Sequence, residues 1–152
     1  MWLNEGFASY VETIGAAHVE PSASLLDRFC IDNTYDTMNL DSLQTSHPIS
    51  ARVKHPDEIN EIFDRISYGK GATIVRMMNH FLTEEVFLEG VTNYLNAHKY
   101  DNAEQDDLWE ELTKAAHDKG TLSEELSVKE IMDTWTLQMG FPVIHVNRDF
   151  EK

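Results

Sequence analysis

WLNEGFASYVETIGAAHV, residues 2–19, decides the fold class. Its apolar residues Leu3, Phe7, Val11 and Ile14 recur at three- and four-residue intervals, the repeat of one helix face. The repeat predicts a helix that ends near Val19. Glu5 falls in its first turn, where the helix dipole favours a negative charge. Taken by position alone, Glu5 is an acid that stabilises a helix start.

Working outward, the same period recurs almost to the end of the chain. Pro21 suits the first position of a second helix, which carries Leu25, Leu26 and Phe29 and fades after about Asp36. Residues 39–57 read as the main loop, since SHPIS (46–50) and KHPDE (54–58) each break helical continuity at a proline. Glu58 to Phe63 read as a short helical turn. In ISYGKGATIVRMMNHFL (66–82), Ile74, Met77, Met78, Phe81 and Leu82 predict a mostly buried helix. Gly69 and Gly71 sit in its first turns, where each costs about 1 kcal/mol against alanine. Glycine is favoured there only if another backbone approaches closely.

Thr83 is placed to cap a helix reaching about Ala97, and Asp106 or Asp107 to cap the next. That helix packs Leu108, Leu112 and Ala116 and stops at Gly120. Ser127 and Glu130 have the spacing of a capping box. The helix they open carries Ile131, Met132, Trp135 and Leu137, and Gly140 ends it. FPVIHV (141–146) then changes period to a short, β-branched run that reads as one strand with no partner in the chain. The fold class is therefore mainly α, and no 20–50-residue repeat suggests a solenoid.

Composition narrows the function classes. Of 152 residues, 27 are acidic and 12 basic, for a net charge of −15. Such a surface repels phosphates and argues against a nucleic-acid partner. Cys30 is the one cysteine, so neither an internal disulfide nor a cysteine zinc cage is available. No apolar run nears the roughly 20 residues that cross a bilayer, and no signal peptide opens the chain. The seven histidines are scattered without an H-x-x-x-H pair on one helix face. There is no G-x-S-x-G elbow, and GKGAT (69–73) lacks the strand and the leading glycine of a phosphate loop. By position alone, Tyr68 is an aromatic at a helix start, and Lys70 a solvent-facing lysine.

WLNEGFASYVE (2–12), ISYGKGA (66–72) and WTLQMGFPV (135–143), in that order, resemble the zinc aminopeptidases of the aminopeptidase N family. SHPIS (46–50) and EIFDRISYGKGATIVRMM (61–78) are similar too, so the likeness covers nearly the whole chain. The resemblance implies the helical C-terminal half of a thermolysin-like catalytic domain, of the gluzincin type. Residues 1–140 would belong to that domain, and 141–152 would begin a following β-domain. It also implies the site. The glutamate of LNEGF, Glu5, is the third ligand of a catalytic Zn2+ otherwise held by the two histidines of an H-E-x-x-H helix. The tyrosine of SYGKG, Tyr68, stabilises the transition state at the scissile carbonyl; Lys70 beside it either supports this electrostatically or faces solvent. Glu12 is at most a supporting residue on the ligand's helix.

H-E-x-x-H is absent from this chain, and so is the family's G-x-M-E-N-type stretch, which holds the substrate's free amine. The expectation is a fragment of a metalloaminopeptidase that is inactive alone and does not bind Zn2+ tightly. Its partners would be the rest of the parent polypeptide and, through it, peptides with a free N-terminus. The stretch 116–143 resembles the membrane-bound members, which implies an extracellular ectodomain, with the cytosol as the other possibility. The alternative reading is a non-catalytic, acidic helical binding module.

Overall fold

The first helix, α1, runs Trp2–Val19 as the apolar repeat predicts. The face it buries is a different one. Trp2, Gly6 and Tyr10 are buried, Leu3 and Phe7 flank them half-covered, and Val11 and Ile14 stay 56% and 41% exposed. The reason is a close crossing. A Cβ built on Gly6 would lie 2.8 Å from the carbonyl carbon of Gly71, so the row 2–6–10, at i,i+4 spacing, faces the neighbouring helix. Trp2 closes one end of this row, its Nε1 donating to Gln105 Oε1 at 3.0 Å. Tyr10 closes the other, its hydroxyl accepting from Asn79 Nδ2 at 2.7 Å.

The computed structural model describes residues 1–150. After a 3₁₀ turn at Pro21–Ala23, α2 (Leu25–Phe29) passes through a π-helical turn, Cys30–Tyr35, into α3 (Asp36–Asp41). Leu26 is exposed and Phe29 buried. The helix continues five residues past the expected end, and its last inward positions are polar: Thr37 and Asp41 are each 1% exposed. Apolar periodicity ends there, but burial does not. The loop after α3 leads to the single turn α4 (Glu58–Glu61). A second π-helical turn, Ile66–Lys70, opens α5 (Gly71–Leu82), and α6 (Glu84–Ala97), α7 (Gln105–Asp118) and α8 (Val128–Thr136) follow.

The core lies among α5 to α8. Ile74, Val75, Met78 and Leu82 meet Val86 and Phe87, then Leu108, Leu112 and Ala116, then Val128 and Met132. Gly90 lets α6 and α7 close up, since a Cβ there would stand 2.9 Å from Leu112 Cα. The capping box of α8 forms as expected, with Glu130 N–H donating to Ser127 Oγ at 3.2 Å and Ser127 N–H to Glu130 Oε2 at 2.8 Å. Two caps differ. Thr83 stands at the start of α6 with φ +77° and no side-chain cap bond. The cap of α7 is Glu104, and Asp107 answers it by accepting from Glu104 N–H at 2.7 Å. The cap lies two or three residues before the expected Asp106 or Asp107, because glutamate is an uncommon N-cap.

The mainly α class holds, but the expected strand at 141–146 does not form; there is no strand among the described residues. A ladder needs a second strand to pair with. Val143, Ile144 and Val146 are instead 72%, 80% and 85% exposed. Positions 151–152 of the expected second unit lie outside the described residues.

The helix crossing makes a direct prediction. Gly6→Ala should lower stability by about 1–3 kcal/mol, because the new methyl meets backbone that cannot rotate away. Gly15→Ala is the control, since nothing lies within 4 Å of a Cβ there. Urea midpoints for the two variants check this. Equal midpoints would show that the crossing can open without cost.

Candidate functional site

Tyr68 sits in the middle of the π-helical turn Ile66–Lys70. Such turns re-aim one side chain relative to a regular helix and recur where geometry matters for function. Both ends of this turn are tied down. At its start, Asp64 acts as a cap: Oδ1 accepts from the N–H groups of Ile66 and Ser67 at 3.0 and 3.1 Å, and its carbonyl accepts from Tyr68 N–H at 3.1 Å. The second oxygen of Asp64 lies 2.9 Å from Nε2 of His47. Nδ1 of His47 lies 2.7 Å from the carbonyl oxygen of Pro48.

At the end of the turn, Lys70 points into the protein. Its Nζ lies 2.6 Å from Asp41 Oδ2, and each side chain is 1% exposed. Lys70 also donates to the carbonyl of Gly140 at 2.9 Å. Asp41 Oδ1 accepts from Ser46 Oγ at 2.6 Å and from Gly140 N–H at 3.0 Å. Burial alone would raise the Asp41 pKa, but the bonds from Lys70, Ser46 and Gly140 outweigh it and hold the carboxyl below its ordinary range. The reading of Lys70 as a solvent-facing residue is thereby corrected. Its stem and charge are enclosed because an acid from α3 meets it inside.

Glu5 and Tyr68, 63 positions apart, are brought together. Glu5 precedes Gly6 and Tyr68 lies three residues before Gly71, so the glycine crossing sets their separation. Both are half-buried. The Tyr68 hydroxyl is raised above its ordinary pKa by partial desolvation, then by the Glu5 carboxylate beside it. At neutral pH it is a phenol with a proton to donate. Glu12 lies two turns along α1, exposed, in a groove it shares with Thr13, Phe29 and Asp32.

No group of three or more His, Cys, Asp or Glu side chains converges on a common point among the described residues. A catalytic zinc takes three protein donors. Glu5 is a single carboxylate with no two further His, Cys, Asp or Glu side chains converging on it among the described residues, so the residues present do not by themselves fit the ion, and no step through a metal can be built from them.

Sequence reasoning missed Asp41, Asp64, His47 and Gly6. Asp64 had a signal, an aspartate just ahead of a helical run, in the position of an N-cap. Gly6 had one too, a glycine within a helix. Asp41 had none, because its partner lies 29 positions away.

Residues 1–135 match the Peptidase family M1 domain. The chain is 47% identical to aminopeptidase N of Mus musculus over 150 residues, which is 97% of this chain and 16% of that protein. It is 47% identical to aminopeptidase Ey of Gallus gallus, again over 97% of this chain and 15% of that one. With glutamyl aminopeptidase of Bos taurus the identity is 46%, covering 97% and 14%. The chain thus spans about one sixth of the length of the curated relatives it matches. A family match that takes in both Glu5 and Tyr68 accounts for the helical architecture and for the resemblance at LNEGF and SYGKG together: the chain belongs to peptidase family M1.

Proposed function

We propose that this chain is the segment of a zinc aminopeptidase catalytic domain that supplies one metal ligand, Glu5, and one transition-state donor, Tyr68. The observation that carries the reading is their juxtaposition across the Gly6–Gly71 crossing. Zinc in such an enzyme polarises the scissile carbonyl and activates water. Its other two ligands and the general base would come from an H-E-x-x-H helix that this chain does not contain.

The role of Tyr68 follows from its own chemistry. A phenol is a neutral donor at pH 7. Partial desolvation and Glu5 both keep it protonated. Placed against the carbonyl oxygen of a substrate, it donates as negative charge develops there and gives up no proton. The substrates would be peptides with a free N-terminus, losing one residue per cycle. The family likeness supports an extracellular ectodomain as the setting; no helix among the described residues is long and apolar enough to cross a membrane.

The test is a segment exchange. Residues 1–152 replace the matching segment of mouse aminopeptidase N, and zinc content and release of N-terminal residues are measured. The exchanged enzyme should bind about one zinc and cleave, and Glu5→Ala should lose most of the metal. Full zinc content in the Glu5→Ala variant would overturn the ligand role.

A further inference from the structure

SHPIS, residues 46–50, carries part of the family likeness but has no role in the site as described. Its bonds give it one. Two consecutive residues reach the two anchors of the Tyr68 turn. His47 holds Asp64, the cap at the start of the turn, through Nε2 and Oδ2 at 2.9 Å. Ser46 holds Asp41 at 2.6 Å, and Asp41 holds Lys70 at the end of the turn. The strap is itself fixed. Ile49 is buried, Ser50 N–H donates to the carbonyl of Thr136 at 2.9 Å, and the His47 ring is pinned at its other nitrogen by the Pro48 carbonyl.

We propose that Ser46 and His47 form a positioning strap that fixes the turn Ile66–Lys70 from both ends and so aims the Tyr68 hydroxyl. The proposal rests on the role of Tyr68 given above. A plain N-cap explains why Asp64 accepts two backbone N–H groups. It does not explain why the second carboxylate oxygen is held by a histidine from a different segment, or why the adjacent serine reaches the opposite anchor. A π-helical turn departs locally from the regular α-helical ladder and occurs mostly as a single turn at functional sites, so what holds its two ends decides where its side chains point. A shift of about 1 Å at an oxyanion donor can cost on the order of 100-fold in rate. Ser46 and His47 touch neither substrate nor reacting atoms, and act through Asp64 and Asp41.

The experiment uses the segment-exchanged enzyme in a double-mutant cycle. His47→Ala should lower kcat by about tenfold with KM and zinc content unchanged, the pattern of a lost transition-state interaction. Amide exchange at Ile66 and Ser67 should quicken, since their acceptor is no longer held. In a Tyr68→Phe background, His47→Ala should cost nothing further, because the residue it positions has lost its hydroxyl. Asp64→Asn keeps an oxygen for the two amides and should retain more activity than Asp64→Ala. It also serves as the test should His47→Ala fail to fold.

An equal loss from His47→Ala in both backgrounds would overturn the strap, as would unchanged exchange at Ile66 and Ser67. If Tyr68→Phe alone leaves turnover intact, the role of Tyr68 itself falls. Amide exchange is read without turnover, so the two failures are distinguishable.

Discussion

Tyr68→Phe should lower kcat by about 10²–10³ in the segment-exchanged enzyme, the usual loss for removing one oxyanion donor. The effect should fall on kcat and kcat/KM alike, because the phenol's hydrogen bond strengthens as the carbonyl oxygen gains charge and contributes little to substrate binding. Zinc content should not change, since the phenyl ring keeps its packing and Glu5 keeps its carboxylate. Stability should move little, because Tyr68 is only half-buried and the phenyl ring remains. Single-turnover kinetics would separate a slower chemical step from slower product release. A variant with wild-type kcat would end the assignment.

The second large effect is on folding. Asp41→Ala should cost about 3–5 kcal/mol, the usual loss when one member of a buried ion pair is removed. The enclosed ammonium of Lys70 is then left with one carbonyl, that of Gly140. Lys70→Met should cost less, because methionine matches the stem and introduces no charge, although Asp41 then keeps only Ser46 and Gly140 N–H. The double variant should be closer to wild type than the sum of the single ones, because the pair is removed whole.

Asp41 also sets an acid limb. Its folded pKa is below the ordinary 3.8, so the unfolded chain binds the proton first as pH falls. Its contribution is fully present above 3.8, declines as pH drops through that value, and is gone below the depressed folded one. Asp41→Asn should flatten this part of a stability-against-pH curve. Urea titrations at a series of pH values check it.

How much was legible in the sequence depended on distance along the chain. Helix existence and type were readable, because apolar spacing in 71–82 and 105–118 is a local signal. Which face of α1 is buried was not. Trp2, Gly6 and Tyr10 carry a weaker apolar signature than Leu3, Phe7, Val11 and Ile14, and only the partner helix chooses between the rows. The end of α3 was missed for a related reason, since Thr37 and Asp41 are polar residues buried by partners elsewhere. For the site, Glu5 and Tyr68 were named through a family likeness, and by their own positions neither stood out. Of the anchors of Tyr68, Asp64 carried a local N-cap signal, but its hold on His47 and the Asp41–Lys70 pair were hidden, because they span 17 and 29 positions. A sequence shows what a residue is near along the chain; these bonds join loops that meet only after folding.

The crossing of Gly6 and Gly71 has a consequence for how this protein can change. The gap between carboxylate and phenol is gauged by main chain resting on main chain, with no adjustable side group between them. Most surface positions on α1 and α5 can therefore vary without disturbing that gap. A single added methyl at either glycine would act as a shim, widening it while both side chains stay chemically intact. The crossing admits substitution all around it and has no room for it at those two points.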